Sequence, residues 1–187
     1  MAAERSVFTD CDDIPNPPPS GYAPNAGRAS VGYGPRCYRR AVEHLRHWRQ
    51  APGRWCEFVH EGPAAAGQKV AVVARVWGLW VVNVCEVTSV RPFESADWSS
   101  FSITYATLAG HDMTGAEQFR VTWDHTTDCV TYDVASYSRP QSVLAWLGLP
   151  LVRHLQRRFV GESTTRLSDD VLAEEAACRP RGISVAP

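Results

Sequence analysis

The chain has 187 residues and a formal net charge of -1, with 19 basic and 20 acidic side chains. A chain of this length can bury roughly 70% of its unfolded surface in one domain, so it does not need disulfides to fold. The balanced charge argues against a general nucleic-acid binder, since such proteins carry a strong basic excess.

The sequence favours a cytoplasmic location. Its N-terminal residues MAAERSVFTDCDD lack a basic segment followed by an apolar one, so they are not typical of a secretory signal. Charged residues interrupt the most apolar run, residues 69–90, whereas a membrane helix needs about 20 nearly uninterrupted apolar residues. The six cysteines are scattered, without a CxxC pair or zinc-ligand spacing. We predict no bound metal and no membrane partner.

The first 50 residues predict an arm, a strand and a helix. Residues 1–27 are rich in proline and glycine, which favours an extended arm. Residues 28–33 predict a short strand, and Gly34-Pro35 then interrupts the chain. From 37 to 50 the apolar side chains recur at spacings of three and four, which is typical of an amphipathic helix.

Six strands are predicted after this helix. The first covers residues 54–60, and the valine-rich run 69–90 predicts two more that turn near Gly78. A loop is expected at Arg91-Pro92. Residues 98–137 predict an antiparallel meander of three strands, separated by turn-rich breaks at 108–115 and 124–128.

The meander has one apolar face, because side chains alternate across a strand. We predict that this face is dry and that the opposite face, which includes Ser100, Ser102 and Thr104, is wet. The predicted dry face comprises Phe101, Ile103, Tyr105, Thr107, Glu117, Phe119, Val121, Trp123, Val130, Tyr132, Val134 and Ser136.

A long helix is predicted to start at Ser138-Arg139-Pro140, which offers a polar cap and a proline for the first turn. Gly148 and Pro150 should kink or split it. From Gly161 the composition changes, and one more short helix is expected at 167–177. The predicted apolar stripe of the long helix is Val143, Leu144, Leu147, Leu151, Leu155 and Phe159.

This order of elements predicts an α+β, helix-grip fold. A curved antiparallel sheet of about six or seven strands would wrap around the long C-terminal helix and leave a cavity between them. We expect residues 28–160 to form this ligand-binding domain, flanked by the arm at 1–27 and a tail at 161–187.

Several motifs occur in order: VGYG at 31–34, WGLWVVNVCEV at 77–87, YATLAGH at 105–111, GAEQF at 115–119, YSRP at 137–140 and LQRRF at 155–159. Through them, residues 27–160 resemble uncharacterised protein family 0548, which is similar to the START-like, or pollen-allergen-like, superfamily. The resemblance implies a helix-grip fold. Members of that superfamily hold hydrophobic small molecules between sheet and helix, and some are cyclases or hydrolases.

Four polar residues cluster about one predicted hairpin: Tyr105, Thr107, His111 and Glu117. A carboxyl buried beside tyrosines has a raised pKa and can exchange protons near neutral pH, so Glu117, His111 and Tyr105 are candidate catalytic residues. The alternative is that Glu117 only fixes a turn or pairs with an arginine such as Arg139. The candidate ligand-binding residues are Thr107, Tyr132, Arg139, Trp123, Phe119 and Asn83.

The sequence gives little support for a metal site or a cofactor site. Asp124, His125 and Asp128 have spacing that a metal could tolerate, but turns rich in aspartate are common. No GxSxG, HExxH, P-loop or dinucleotide motif is present, so we expect no cofactor.

The sequence leaves three hypotheses open. The first is a protein that binds a hydrophobic or aromatic small molecule. The second is a cofactor-free enzyme, such as a cyclase or isomerase of a natural-product pathway, that uses Glu117 with tyrosines or His111. The third is an interaction protein that uses the arm or the tail. The sequence does not fix the oligomeric state.

Overall fold

The computed structural model describes residues 14, 15, 17–108 and 113–177. Within this part of the chain, seven strands and three helices are present. In chain order they are β1 (Ala23–Tyr33), α1 (Gly34–Arg46), β2 (Cys56–Val59), β3 (Lys69–Val76), β4 (Leu79–Glu94), β5 (Trp98–Thr107), β6 (Met113–Asp124), β7 (Cys129–Pro140), α2 (Val143–Leu147) and α3 (Leu149–Ala177).

The strands form one antiparallel sheet in the order β1-β7-β6-β5-β4-β3-β2. The sheet curls into a half-barrel around the long helix α3, which confirms the predicted helix-grip fold. Register shifts between Ser30 and Gly32 and between Val87 and Ser89 interrupt two of the ladders. Such irregularities increase local twist and help a sheet to curve.

Aromatic rings fill the core between the sheet and the helices. Phe119 contacts Trp48, Phe58, Tyr105 and Phe159, with ring centroids 5.7 to 6.2 Å apart. These residues come from four different strands and helices and the segment after α1, so one cluster ties the sheet to its helices. Each large ring buried in this way stabilises the fold by about 1.5–3 kcal/mol.

On the predicted dry face of the meander, nine of the twelve residues are buried, and Thr107, Glu117 and Trp123 are half-buried. The predicted wet face is wrong. Ser100, Ser102 and Thr104 are buried, because the tightly curved sheet carries small side chains there and packs them against their neighbours. Gln118 Nε2 donates to Thr104 Oγ1 at 3.2 Å. The convex face is therefore polar but closed to solvent around these three residues of β5.

Helix α1 differs from its prediction at both ends. It begins at Gly34 with Pro35 in the first turn, where the missing proline N–H costs nothing, and it ends at Arg46. Trp48 lies beyond it with a φ of 57°, a left-handed conformation that stops the helix. The Trp48 ring is thereby placed in the core.

The prediction of a loop at Arg91-Pro92 is also wrong. Both residues belong to β4 and lie opposite Ser102 and Phe101. β3 pairs with β4 only up to Glu86, so the end of β4 has a single neighbour. An edge position of this kind tolerates a proline.

The predicted start of the helix after the meander is wrong. β7 continues through Pro140, and the helix starts after Ser142, whose Oγ accepts a hydrogen bond from the Ala145 N–H at 3.0 Å. The split at Gly148, between α2 and α3, is confirmed. Val143 and Leu147, predicted to be buried on the helix stripe, are exposed.

Helix α3 runs without a break through Gly161, so the boundary expected at 160 has no counterpart in the secondary structure. The reason is visible in its packing: Ser163, Leu167 and Val171 recur every four residues and are fully buried. The boundary expected at 27 lies inside β1. Within the described residues, no helix combines the length and apolar character needed to span a bilayer.

Candidate functional site

A cavity of about 490 Å³ lies between the sheet and the helices α2 and α3. This volume is in the range of small-molecule sites. Its walls are mainly apolar. The apolar side chains that line it include Val72, Ala74, Val76, Val81, Leu151, Leu155 and Phe159.

The cavity lining follows from the periodicity of each element. Alternate residues of β3 and β4 point inward, because side chains alternate across a strand. On α3, Leu151, Leu155 and Phe159 are spaced by four and form one stripe of the helix. Val81 lines the cavity and is also 41% exposed, so the cavity opens to solvent beside the β3–β4 hairpin.

Among the described residues of this lining, Glu117 is the one that carries a carboxyl. It lies on β6 directly opposite Tyr105 of β5, and the Tyr105 hydroxyl donates a hydrogen bond to Glu117 Oε2. Thr107, which was grouped with Glu117 about the predicted hairpin, lies two residues further along β5 than the residue opposite Glu117. Thr107 Oγ1 instead accepts from the Gly115 N–H at 3.1 Å.

The burial of this pair changes its acid–base chemistry. Burial raises the pKa of Glu117 to about 7, although the Tyr105 hydrogen bond opposes the shift. Burial, with the charge of Glu117, raises the pKa of Tyr105 well above its usual value. Near neutral pH, Glu117 can therefore take up or release a proton while Tyr105 stays protonated.

Two cysteines of the lining are inert by comparison. Burial first, and the charge of Glu117 second, raise the pKa of Cys56 to about 12, and the same two causes raise that of Cys85 to about 12. Both thiols are free. A protonated thiol is a poor nucleophile, so these side chains serve as apolar walls.

A second polar cluster, which sequence reasoning missed, joins α3 to β7. Arg153 Nη1 donates to Ser138 Oγ and to Gln156 Oε1, both at 2.8 Å, and Gln156 Nε2 donates to Ser138 Oγ at 3.0 Å. Ser138 and Gln156 line the cavity. Ser138 was missed as a site residue because it was predicted to cap a helix. In the structure it belongs to β7, and its side chain lines the cavity.

Of the predicted site residues, Glu117, Tyr105, Thr107 and Asn83 are brought together in the cavity lining. Phe119 lies beside Tyr105 in the core and is fully buried. His111 lies outside the described residues.

Three other predicted residues lie elsewhere. The Tyr132 hydroxyl is 3.0 Å from Ser163 Oγ in the core. Trp123 packs on Tyr38 and its Nε1 donates to Asp128 Oδ1. The Arg139 guanidinium lies 4.9 Å from the centre of the Tyr22 ring, so the predicted alternative of an Arg139–Glu117 ion pair is not what the structure forms.

The turn after β6 is held by its own side chains. Asp124 Oδ1 accepts from the N–H groups of Thr126 and Thr127 at 2.9 and 3.0 Å, the pattern of an Asx turn. Among the residues described, no three His, Cys, Asp or Glu side chains are grouped so that they could hold a metal ion.

Comparison with known proteins gives a family and curated relatives. The profile of a family described as "Domain of unknown function (DUF1990)" matches residues 9–166. A UPF0548 protein of Dictyostelium discoideum is 28% identical over 148 residues, covering 75% of this chain and 68% of that protein. A UPF0548 protein of Arabidopsis thaliana is 27% identical over 146 residues, with coverages of 77% and 71%. The resemblance to uncharacterised protein family 0548 is thus confirmed.

Solved structures share the fold at low sequence identity. A START superfamily protein from Mycobacterium smegmatis has a TM-score of 0.55 at 11% identity, covering 81% of this chain and 98% of that one. Ara h 8.0201 has a TM-score of 0.52 at 12% identity, with coverages of 82% and 99%. A Thalictrum norcoclaurine synthase point mutant, in complex with a transition-state analogue, has a TM-score of 0.52 at 12% identity, with coverages of 82% and 96%. These similarities establish the START-like helix-grip fold.

Proposed function

We propose that this chain, which belongs to the family described as domain of unknown function DUF1990, holds a hydrophobic or aromatic small molecule between its sheet and helix α3. The observation behind this proposal is the apolar cavity of about 490 Å³ whose wall carries the hydrogen-bonded Glu117–Tyr105 pair. Apolar walls supply affinity, and a few placed polar groups fix orientation.

The polar groups suggest how the ligand is oriented. Glu117 and Tyr105 offer hydrogen bonds from the sheet, while Ser138 and Gln156 offer them from the side of β7 and α3. No arginine, lysine or histidine is among the described lining residues. The ligand we propose is therefore largely apolar, with one or two groups that hydrogen-bond and no need for a cationic partner.

Native mass spectrometry of the purified protein tests this proposal. We expect an organic molecule that stays bound to the native chain and is released on denaturation. The variant Leu151→Trp, which fills the cavity, should lose that molecule. Leu172→Trp, on the exposed side of the same helix, is the matched control. Retention of the molecule by Leu151→Trp would place its site outside the cavity.

A second candidate function is a cofactor-free enzyme, a cyclase or isomerase, on the same scaffold. The observation that favours it is the hydrogen-bonded Glu117–Tyr105 pair with a carboxyl pKa of about 7, which suits proton transfer. The norcoclaurine synthase similarity supports only the compatibility of the fold with an enzyme.

Once the ligand class is known, Glu117→Gln separates the two functions. A catalyst should lose turnover and still bind the molecule, because the amide keeps the shape and can accept the Tyr105 hydrogen bond. A carrier should show no turnover in either form.

The free thiols of Cys37, Cys56, Cys85 and Cys129 support the further proposal that the protein works in the reducing cytoplasm.

A further inference from the structure

The mouth of the cavity is surrounded by apolar side chains that face solvent. The tip of the β3–β4 hairpin exposes Trp77 by 87% and Trp80 by 60%, and α2 exposes Trp146 by 63%. Leu79 and Val82 of the same hairpin and Val143 and Leu147 of α2 are also exposed. We call these seven residues the mouth face. Exposed apolar surface of this extent usually marks a contact with a partner or a membrane.

Both halves of the mouth face border the same opening. Val76 and Val81, which flank the hairpin tip, line the cavity. Ala145 of α2 and Gly148, directly after it, line the cavity from the helix side. Trp80 and Val82 alternate with Val81 and Asn83 of the lining, so they lie on the outer face of the hairpin. Apolar side chains therefore continue from the cavity wall onto the outside of the molecule.

The segments that carry the mouth face also carry arginines. Of the five arginines in residues 70–85 and 134–161, Arg158 pairs with Glu162 and Arg153 donates hydrogen bonds to Ser138 and Gln156, which leaves Arg75, Arg139 and Arg157. Arg75, on the hairpin, lies 5.9 Å from the Trp80 ring centre. Arg139, at the end of β7, and Arg157, on α3, are exposed.

We propose that the mouth face docks on the surface of an anionic phospholipid bilayer. Tryptophan prefers the interface between water and lipid, where its ring is buried and its N–H stays hydrated. Arginines beside it are attracted to anionic headgroups. The contact is peripheral, and it replaces the expectation of no membrane partner, which rested on the lack of a spanning segment.

A second copy of the chain fits this surface less well. In a two-fold dimer the same patch meets itself, so the arginines of one copy would face those of the other with no carboxylate from these segments between them. An anionic bilayer complements both the charge and the apolar character. Docking there also gives the cavity a source of hydrophobic ligand, which is the link to the proposed function.

Sedimentation of the full chain with lipid vesicles tests the inference without knowledge of the ligand. We expect binding to vesicles of phosphatidylcholine with phosphatidylserine and much weaker binding to phosphatidylcholine alone. Trp77→Ser combined with Trp80→Ser should weaken binding by more than about tenfold, since two buried apolar side chains are lost. Arg75→Gln should weaken it about fivefold.

Tyr33→Ser is the matched control, because Tyr33 is 67% exposed and is the last residue of β1, outside the cavity lining. Its binding should equal that of the wild type. The inference is overturned if the wild type binds neither vesicle, if it binds both equally, or if Tyr33→Ser weakens binding as much as the tryptophan variant. It is also overturned if the wild type is a dimer in solution that the tryptophan variant converts to monomers.

Discussion

Glu117 illustrates how one residue can link stability to function. Its carboxyl pKa rises from 4.5 to about 7 on burial. Between these two values the native chain holds a proton that the unfolded chain has released, so stability must fall as pH rises. A shift of this size corresponds to about 3 kcal/mol, an order-of-magnitude figure. At neutral pH the titratable Glu117 carboxyl therefore lowers the free energy of unfolding.

We predict that Glu117→Gln removes this pH dependence. Below pH ~4 the variant and the wild type should have similar free energies of unfolding, because Glu117 is neutral in both the native and the unfolded state there. Above pH ~8 the variant should be more stable by up to about 3 kcal/mol. Urea unfolding at both pH values measures this difference. A constant difference between the two proteins across the range would show that Glu117 is not titrating as described.

At the scale of elements, the contact between β1 and α3 depends on a missing side chain. A Cβ added at Gly27 would lie 2.4 Å from Cγ1 of Val160, far inside van der Waals contact. Valine has little rotamer freedom in a helix, so the side chain cannot move away easily. Gly27 is thus what allows α3 to close over this edge of the sheet.

Gly27→Ala should accordingly destabilise the protein by roughly 1–3 kcal/mol, through overpacking at this contact. The double variant Gly27→Ala with Val160→Ala should recover part of that loss, since the clashing methyl group is gone. Gly161→Ala is the control, because nothing lies within 4 Å of its added Cβ. Thermal unfolding of the wild type, the single variants Gly27→Ala and Val160→Ala, the double variant and the control provides the comparison. If the double variant merely summed the two single losses, the close contact would not be the cause.

The second half of α3 is an integral part of the packed domain. Leu167 is fully buried in the hydrophobic core, whereas Leu172 of the same helix is 48% exposed. We predict that Leu167→Ala costs about 2–5 kcal/mol in the free energy of unfolding, from the cavity it leaves. Leu172→Ala should cost much less. Chemical denaturation distinguishes them, and equal small losses would mean that the helix beyond Gly161 contributes little.

At the scale of the whole molecule, the sequence predicted the fold better than the site. Strand alternation and helical spacing are local, so the order of elements and the inward face of Phe101, Ile103 and Tyr105 could be predicted. Glu117 was found because it interrupts an apolar face. Its partner Tyr105 was among the residues grouped with it, but the exact pairing was not predicted, because the register of β5 on β6 depends on the length of the hairpin loop.

The features that sequence reasoning missed depend on how distant elements meet. Arg153 and Gln156 reach Ser138 only because α3 crosses the end of β7, and no local pattern predicts that crossing. The exposure of Val143 and Leu147 has the same origin. Their spacing fits a buried stripe, but α2 lies at the cavity mouth, where no other element covers them in the part of the chain that the structure describes.

The cavity between the sheet and α3 is the proposed site for a hydrophobic small molecule. It is tested by a fluorescence titration with the neutral apolar probe N-phenyl-1-naphthylamine on the wild type, Leu151→Trp and Leu172→Trp. We expect saturable binding of the probe to the wild type and to Leu172→Trp, and loss of binding in Leu151→Trp, because only that substitution fills the cavity. Equal binding by all three folded proteins would contradict it.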